Sequence, residues 1–247
     1  MTKTLGLIGS GMIGGVLARL AVDAGLDVAL SNSRGPATLG ELVADLGPRA
    51  RAVTPAEAAA AGDLVVATVP LHAYDRLPAD VLAGRTVIDT MNYYPERDGH
   101  IARLDQGELT SSELVQRHLA GSRVVKAANN MFFLSLLTAG RPAGSLDRSA
   151  LPVAGDDDAA KAEVAALLDI LGYDSVDTGS LADSWRSEPG TPVYVMPYFP
   201  AVPPWGSSPD KLHRWFVETE GAPVTAGRVR SLIDRAVRIP IADRLPT

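Results

Sequence analysis

Hydrophobic residues in the first half of the chain alternate between short apolar runs and stripes at helical spacing. Residues 5–8 form an apolar run, and apolar positions from Met12 to Ala24 then recur every three or four residues until Gly25. The alternation continues, with further strands predicted at 26–30, 50–53, 63–69, 85–89 and 123–126 and helices at 38–46, from Thr54, and at 112–119. It predicts an α/β fold of the Rossmann type, with a doubly wound parallel sheet.

The pattern changes after about residue 145. A predicted helix that ends at Leu171 and a strand at 173–177 follow, and residues 187–207 are rich in proline and aromatic side chains. Two amphipathic segments, 210–219 and 224–237, come last. We therefore expect a nucleotide-binding domain over 1–145 and a smaller C-terminal α/β extension over 146–247. The proline-rich segment suits either a lid on a pocket or a strap across a dimer.

A glycine-rich turn joins the first predicted strand to the first predicted helix. Gly9, Gly11 and Gly14 form an intact G-x-G-x-x-G. In this motif the first glycine permits a tight turn, the second lets the backbone approach a pyrophosphate, and the third lets the helix pack against its strand. Free amides and the helix dipole favour the phosphate charge there. We predict a dinucleotide site; the alternative is a turn kept only for packing.

The residues after the second predicted strand distinguish between NAD and NADP. An NAD enzyme has a carboxylate here, which accepts hydrogen bonds from the ribose and repels a 2′-phosphate. This chain has Ser31, Asn32, Ser33 and Arg34 instead. Hydroxyl groups and a guanidinium suit a phosphate, so we predict NADP(H). The alternative is a solvated turn.

The ends of the other predicted strands define the rest of the expected site. Right-handed crossovers would bring Gly9, Pro70, Thr90 and Asn129 to the same carboxyl edge of the sheet, where ligands bind in such folds. We therefore expect the cofactor to contact the loops that follow these strands.

Composition and charge narrow the range of partners. The 247 residues carry 23 Lys and Arg against 29 Asp and Glu, a net charge of −6, with no basic run. This balance argues against nucleic acid or an anionic membrane as partner. We expect neither a signal peptide nor a membrane span, because the N-terminal apolar residues belong to a strand and a helix. With no cysteine to form disulfides or thiolate sites, we expect a cytoplasmic enzyme.

The sequence assigns no catalytic acid or base. Hydride transfer between flat rings needs proximity and stacking more than proton transfer. His72 follows a strand end and suits either a cofactor contact or a local hydrogen bond. No metal is expected, because three consecutive acids at 156–158 are explained as partners of a helix N-terminus.

Two further polar sites leave alternatives open. Lys126 has two interpretations, a proton donor or the last residue of an edge-facing strand, and we favour the second. Asn129 and Asn130 suit contacts with the nicotinamide carboxamide or an acceptor carbonyl, or a simple turn.

With these segments placed, the sequence resembles the NADP-dependent oxidoreductases of the deazaflavin coenzyme F420. The resemblance covers about the first three-quarters of the chain and is far more specific than the glycine motif alone. The matching pieces are Gly-Ser-Gly-Met-Ile-Gly at 9–14, Asn-Ser-Arg-Gly-Pro at 32–36, Thr-Val-Pro-Leu-His-Ala at 68–73, Ser-Ser-Glu-Leu-Val at 111–115, Val-Val-Lys-Ala at 124–127, Pro-Val-Ala-Gly-Asp-Asp-Asp at 152–158 and Asp-Thr-Gly-Ser-Leu at 177–181.

The resemblance implies NADP(H) as cofactor, coenzyme F420 as the small-molecule co-substrate, and a homodimer whose C-terminal part contributes to the interface and the acceptor pocket. It also implies roles for individual residues. Ser10, Gly11, Met12 and Ile13 would hold the pyrophosphate, Ser33 and Arg34 the 2′-phosphate, and Pro70, Leu71, His72 and Asn92 would follow the ribose and nicotinamide, with Val69 beside them. Asn129, Asn130 and Met131 would line the pocket where the two rings stack.

The sequence departs from the family pattern in two places. Phe132 and Phe133 are bulkier than the small apolar residues that usually follow the Val-Val-Lys-Ala strand, and the proline-rich stretch after Ser187 has no match. Both lie where the acceptor is expected. Two alternatives therefore stay open: NADPH-dependent reduction of another small acceptor (an imine, ketone or flavin), or a catalytically silent NADP(H)-binding module.

Overall fold

The structure is a computed structural model that describes residues 3–239. Within this range the strands are β1 (Thr4–Ile8), β2 (Asp27–Ser31), β3 (Ala50–Ala52), β4 (Leu64–Ala67), β5 (Thr86–Asp89), β6 (Arg123–Ala127), β7 (Ala150–Gly155) and β8 (Asp174–Gly179). The helices are α1 (Met12–Asp23), α2 (Gly40–Leu46), α3 (Pro55–Ala61), α4 (Ala79–Leu82), α5 (Pro95–Asp98), α6 (Ala102–Asp105), α7 (Ser111–His118), α8 (Phe133–Thr138), α9 (Asp158–Ile170), α10 (Pro209–Glu218) and α11 (Ala226–Asp234). Short 3₁₀ segments lie at Pro36–Leu39, Leu71–Arg76, Leu181–Ser187 and Met196–Tyr198.

The strands form one sheet in the order β3-β2-β1-β4-β5-β6-β7-β8. The first six strands are parallel, β7 runs antiparallel to β6, and β8 is parallel to β7. Helices cover both faces, so the predicted Rossmann-type fold is confirmed. The chain goes from β1 outward to β2 and β3, and then returns to β4 on the other side. Ligands bind at such a switch point in open α/β sheets.

The sheet and its core continue past residue 145. Val125 of β6 pairs with Gly155 of β7. The larger hydrophobic cluster includes Leu5 from β1 together with Leu151 and Tyr173 from the C-terminal part. Residue 145 therefore lies close to the point where the strand direction reverses, and the same core extends across it.

Helix starts follow local sequence signals. The helix predicted from Thr54 is present as α3, and Thr54 caps it and forms a capping box with Glu57. Asp157 caps α9 by accepting from the amide of Ala160 at 2.8 Å, which is the role expected for the acids at 156–158.

One close contact holds α3 against the sheet. A Cβ built at Gly6 in the middle of β1 would lie 2.3 Å from the carbonyl oxygen of Ala58 in α3. No real Cβ approaches a backbone oxygen so closely, so the helix can pack at this distance only on a glycine.

We expect Gly6→Ala to lower the free energy of unfolding by about 1–3 kcal/mol, because the added methyl forces α3 away from the sheet. Thermal or urea unfolding would measure this. Gly15→Ala in α1 is the matched control, since a Cβ there meets nothing within 4 Å. That substitution should stabilise by about 0.5–1 kcal/mol through helix propensity. Equal effects of the two variants would contradict the packing argument.

Candidate cofactor and acceptor site

Two adjoining cavities lie along the carboxyl edge of the parallel strands. The first has a volume of about 370 Å³ and the second about 430 Å³, both in the range of small-molecule sites. They share Gly11, Thr68, Val69 and Pro70. The first continues to the turn after β2 and to Ser10. The second continues to the ends of β5 and β6 and to Met12 and Ile13.

The glycine-rich turn has the geometry expected of it. Gly9 adopts a φ of 110°, and a Cβ there would lie 2.2 Å from the carbonyl oxygen of Thr68. A Cβ at Gly14 would lie 2.4 Å from the carbonyl oxygen of Gly9, so α1 packs tightly on the turn. At Gly11, by contrast, a Cβ would meet nothing within 4 Å. The backbone at Gly11 is therefore open to a ligand.

The N-terminus of α1 faces both cavities without a side-chain cap. Gly11 is the N-cap residue and has no side chain to satisfy the first amides. Other helices in the chain, such as α3 and α7, are capped by threonine. Uncapped amides at the start of a 12-residue helix suit a bound phosphate, so this feature fits a dinucleotide pyrophosphate.

The turn after β2 presents only part of its predicted phosphate site to the cavity. Ser31 is 0% exposed and its hydroxyl donates to the carbonyl oxygen of Leu7 at 2.8 Å, so this side chain does not reach a ligand. The side chain of Asn32 shapes the turn: Oδ1 accepts from the amide of Arg34 and Nδ2 donates to Thr38, both at 2.9 Å. Ser33 and Arg34 lie exposed at the cavity.

Two guanidinium groups line the first cavity and have no hydrogen-bond or ion-pair partner among residues 3–239. Arg34 comes from the turn after β2, and Arg76 comes from the segment after β4. Neither side chain makes a hydrogen bond or ion pair within residues 3–239. Two unpaired cations on one cavity of an acidic chain fit a ligand with a further phosphate group. Arg76 was missed by the sequence analysis because it lies mid-segment, away from the motif.

The segment after β4 contributes side chains unevenly. Val69, Pro70 and His72 line the first cavity. Leu71 is fully buried in a second, smaller hydrophobic cluster with Val65 and Val87, so its side chain lines neither cavity. The ring Nδ1 of His72 lies 3.1 Å from Asp98 Oδ1.

Asp98 connects the two cavities. This buried carboxylate accepts from the His72 amide at 3.3 Å, the Tyr94 amide at 2.9 Å and Arg97 Nε at 2.9 Å. Burial alone would raise the pKa of Asp98, but the hydrogen bonds and charge of Arg97 and the two amides outweigh it and hold the pKa below its ordinary value. The ionised carboxylate holds the start of α5, beside the second cavity, against His72 of the first cavity.

Lys126 is buried, and its predicted place on an edge-facing strand is wrong. Its side chain is 1% exposed, and Nζ lies 3.3 Å from Asp89 Oδ2 and 3.1 Å from Ser111 Oγ, with a further contact to the carbonyl oxygen of Met91. The prediction failed because β7 and β8 extend the sheet beyond β6, so β6 lies inside the sheet.

The Lys126–Asp89 pair fixes the loop after β5. Asp89 also accepts from the amide of Met91 at 2.8 Å and the hydroxyl of Ser112 at 2.7 Å. Lysine and aspartate together therefore hold both the amide and the carbonyl of Met91, directly before Asn92. The buried ion pair therefore holds the loop after β5, which borders the second cavity, in one position.

Asn92 and Asn129 bind each other. Asn92 Nδ2 donates to the carbonyl oxygen of Asn129 at 2.8 Å, and Asn129 Nδ2 donates to Asn92 Oδ1 at 3.0 Å. Asn129 Nδ2 also donates to the carbonyl oxygen of Ser187 at 2.8 Å. Both side chains line the second cavity, together with Met131. The amides join the ends of β5 and β6 to the proline-rich segment.

Asn130 has a positioning role that the sequence analysis did not foresee. It is 0% exposed, and Nδ2 donates to the carbonyl oxygen of Val193 at 3.1 Å and to Tyr198 at 3.0 Å. The backbone carbonyl oxygen of Asn130 accepts from the amide of Val195 at 2.8 Å. Val195 is held at a φ of 55°, which is unfavourable for a β-branched residue. Asn130 therefore fixes the backbone on both sides of Tyr194 and does not line the cavity.

Aromatic side chains form a wall of the second cavity. Phe132 and Phe133 line it, with ring centroids 4.7 Å apart. Behind them Phe132 packs on Phe199 and Phe216 at centroid distances of 5.8 and 5.6 Å. The proline-rich segment and α10 thus support this wall of the second cavity.

Sequence reasoning missed Tyr94, Arg97 and Tyr194, which also line the second cavity. Tyr94 and Tyr194 are in hydrogen-bond contact through their hydroxyl groups. They are far apart in sequence and meet only in the fold, so no local motif marks them.

Within residues 3–239, no group of three or more His, Cys, Asp or Glu side chains is arranged to hold a metal ion. In the same range, no helix is both long and apolar enough to cross a membrane.

We expect Lys126→Met to lower the free energy of unfolding by about 3–5 kcal/mol, because it leaves the Asp89 carboxylate buried without its cation. Chemical denaturation would measure this. Lys161→Met is the matched control: its partners Asp158 and Asp177 are 97% and 61% exposed, so its loss should cost at most about 1 kcal/mol. A loss at Lys126 no larger than at Lys161 would show that the buried pair does not anchor the loop.

Comparison with known proteins identifies similar sequences and folds. The family model described as "NADP oxidoreductase coenzyme F420-dependent" matches residues 4–93. The Escherichia coli K12 protein YjhV is 47% identical over 53 residues, which are 22% of this chain and 39% of that protein's length.

Two solved structures cover most of this chain. The hypothetical protein SMa0349 from Sinorhizobium meliloti is 30% identical, with a TM-score of 0.69, over 79% of this chain and 94% of that one. A candidate F420-dependent NADP-reductase from Arthrobacter sp. FB24 is 27% identical, with a TM-score of 0.62, over 74% of this chain and 87% of that one. The resemblance seen in the motifs is confirmed: the chain belongs to the coenzyme F420-dependent NADP oxidoreductase family.

Proposed function

We propose that the protein transfers hydride between NADPH and coenzyme F420, a deazaflavin. The observation that carries this proposal is the pair of adjoining cavities. One has unpaired guanidinium groups for a phosphate, and the other has an aromatic wall for a flat ring. The shared lining residues make the two cavities continuous beside the uncapped start of α1.

Each half of NADPH has matching groups in the protein. The amides at the start of α1 would hold the pyrophosphate, and Arg34 with Ser33 would hold the 2′-phosphate. The nicotinamide would lie in the second cavity, beside the joined amides of Asn92 and Asn129. When bound, NADPH supplies a hydride from C4 of its nicotinamide ring. The protein contributes positioning and the exclusion of water, which suits a site without an assigned acid or base.

We expect Arg34→Ala to weaken NADPH binding by about 1–3 kcal/mol, because a charge-assisted contact to the 2′-phosphate is lost. The affinity for NADH should stay the same, since it has no 2′-phosphate. Isothermal titration with both cofactors measures this. Arg51→Ala is the control, because Arg51 is exposed on β3 and lines neither cavity. Equal losses for NADPH and NADH would contradict the assignment of Arg34.

The proposed reaction is tested by an anaerobic absorbance assay with purified protein, NADPH and oxidised F420. We expect the visible band of the oxidised deazaflavin to disappear over many turnovers. A protein that binds NADPH tightly but leaves this band unchanged would contradict the proposed acceptor.

A second candidate function is NADPH-dependent reduction of another small acceptor, such as an imine, ketone or flavin. The hydroxyl groups of Tyr94 and Tyr194 in the second cavity favour it, because they can bind a polar atom next to the reacting carbon. Parallel assays with riboflavin 5′-phosphate and a cyclic imine separate the two candidates. Tight NADPH binding with no turnover of any acceptor would instead support a silent NADP(H)-binding module. The homodimer stays a prediction, for which light scattering is the test.

A further inference from the structure

Two tyrosine hydroxyl groups meet inside the second cavity, and the proposed function so far gives them no role. Tyr94 lies directly before α5, and Tyr194 lies in the proline-rich segment. Their hydroxyl oxygens are in hydrogen-bond contact, and Asn92 Nδ2 lies 3.5 Å from the Tyr194 hydroxyl. Both rings line the cavity that faces the phosphate-binding turn.

The tyrosine pair has one proton that no group within residues 3–239 accepts. Two hydroxyl groups carry two protons, and one of these lies in the hydrogen bond between them. Asn92 Nδ2 is itself a donor and cannot take the second. Within residues 3–239 neither hydroxyl has another hydrogen-bond partner. The pair therefore presents one hydrogen-bond donor to a molecule in the cavity.

Both hydroxyl groups keep their protons at neutral pH. Burial raises the pKa of Tyr194, and the nearby Tyr94 raises it further. Burial also raises the pKa of Tyr94, although the hydrogen bond of Tyr194 and the charge of Arg97 oppose this. Arg97 lies with its guanidinium carbon 4.9 Å from the centre of the Tyr94 ring. The pair is thus a donor, polarised by a cation on one side.

The position of the donor is fixed by the surrounding backbone. Asp98 accepts from the amide of Tyr94 at 2.9 Å. Asn130 binds the carbonyl of Val193 and the amide of Val195, on either side of Tyr194. A donor held in place before the reaction stabilises developing charge without reorganisation.

We propose that the Tyr94–Tyr194 pair donates a hydrogen bond to a carbonyl oxygen or ring nitrogen of the acceptor during hydride transfer. The inference rests on the proposed function and adds a catalytic group to the same site. The C4–H bond of the dihydronicotinamide breaks and its electron pair forms a C–H bond on the acceptor carbon. NADP⁺ is left, and negative charge spreads to the conjugated heteroatom of the acceptor. The tyrosines keep their protons, and solvent water protonates the reduced product.

The test is the double variant Tyr94→Phe/Tyr194→Phe, which removes both hydroxyl groups and keeps both rings. We expect kcat at saturating acceptor to decrease by about 10²–10³-fold, the size of effect seen when a donor to a developing charge is removed. Each single variant keeps one hydroxyl group in the cavity and should lose less than the double variant. The Kd for NADPH should change less than twofold in all three.

Comparing the change in kcat with the change in acceptor affinity distinguishes a catalytic hydrogen-bond donor from a tyrosine pair with only a structural role. The donor acts mainly on charge that develops in the transition state, so kcat should decrease much more than the affinity for oxidised acceptor, measured by deazaflavin fluorescence. A structural role would weaken acceptor binding and thermal stability together. Tyr74→Phe is the matched control, because Tyr74 lies outside both cavities against His118.

The assays use F420, riboflavin 5′-phosphate and 2-methyl-1-pyrroline side by side. A double variant as fast as wild type, with any acceptor that wild type reduces, overturns the inference and leaves the proposed reaction intact. A wild type that reduces only the imine or the flavin overturns the F420 proposal, while a slow double variant with that acceptor still supports the tyrosine donor. A wild type that binds NADPH and reduces none of the three overturns both.

Discussion

The buried ion pair between Lys126 and Asp89 is the constraint on which the rest of the site depends. Removing two charges from water is costly, and the cost is recovered only where each charge is fully hydrogen-bonded. Here the remaining hydrogen bonds go to the backbone of Met91 and to two serines of α7. The ion pair thus specifies one conformation of the loop after β5. Asn92 and Tyr94, which line the second cavity, follow directly on that loop.

A second charge joins the two halves of the site. The carboxylate of Asp98 accepts from the amide of His72, which lines the first cavity, and from the amide of Tyr94, which lines the second. One short helix, α5, therefore sets the position of groups in both cavities. On the other side of the second cavity, Asn130 holds the proline-rich segment by hydrogen bonds to the backbone of Val193 and Val195. The second cavity is built between two loops that hydrogen bonds hold in place. The proposed hydride transfer needs such a fixed geometry, because the distance between the two reacting carbons decides the rate.

Local signals in the sequence were enough for the fold and for the geometry of the glycine-rich turn. Gly9 and Gly14 could be predicted because a G-x-G-x-x-G between a strand and a helix has one well-understood geometry. The acceptor side could not be predicted in this way. Tyr94 and Tyr194 lie 100 positions apart and meet only because the antiparallel β7 brings the C-terminal part back over the sheet. The burial of Lys126 escapes prediction for the same reason. Without β7 beside it, β6 would be an edge strand, and only the fold shows that β7 pairs there.

The central claim is that NADPH extends across both cavities, with its nicotinamide beside Asn92 and the acceptor against the tyrosine pair. A crystal structure with NADP⁺ and an oxidised acceptor tests this most directly. The account predicts that the 2′-phosphate contacts Arg34, that the nicotinamide lies beside Asn92, and that a polar atom of the acceptor lies within hydrogen-bonding distance of Tyr94 or Tyr194. A nicotinamide outside the second cavity, or an acceptor bound away from both tyrosines, would contradict it.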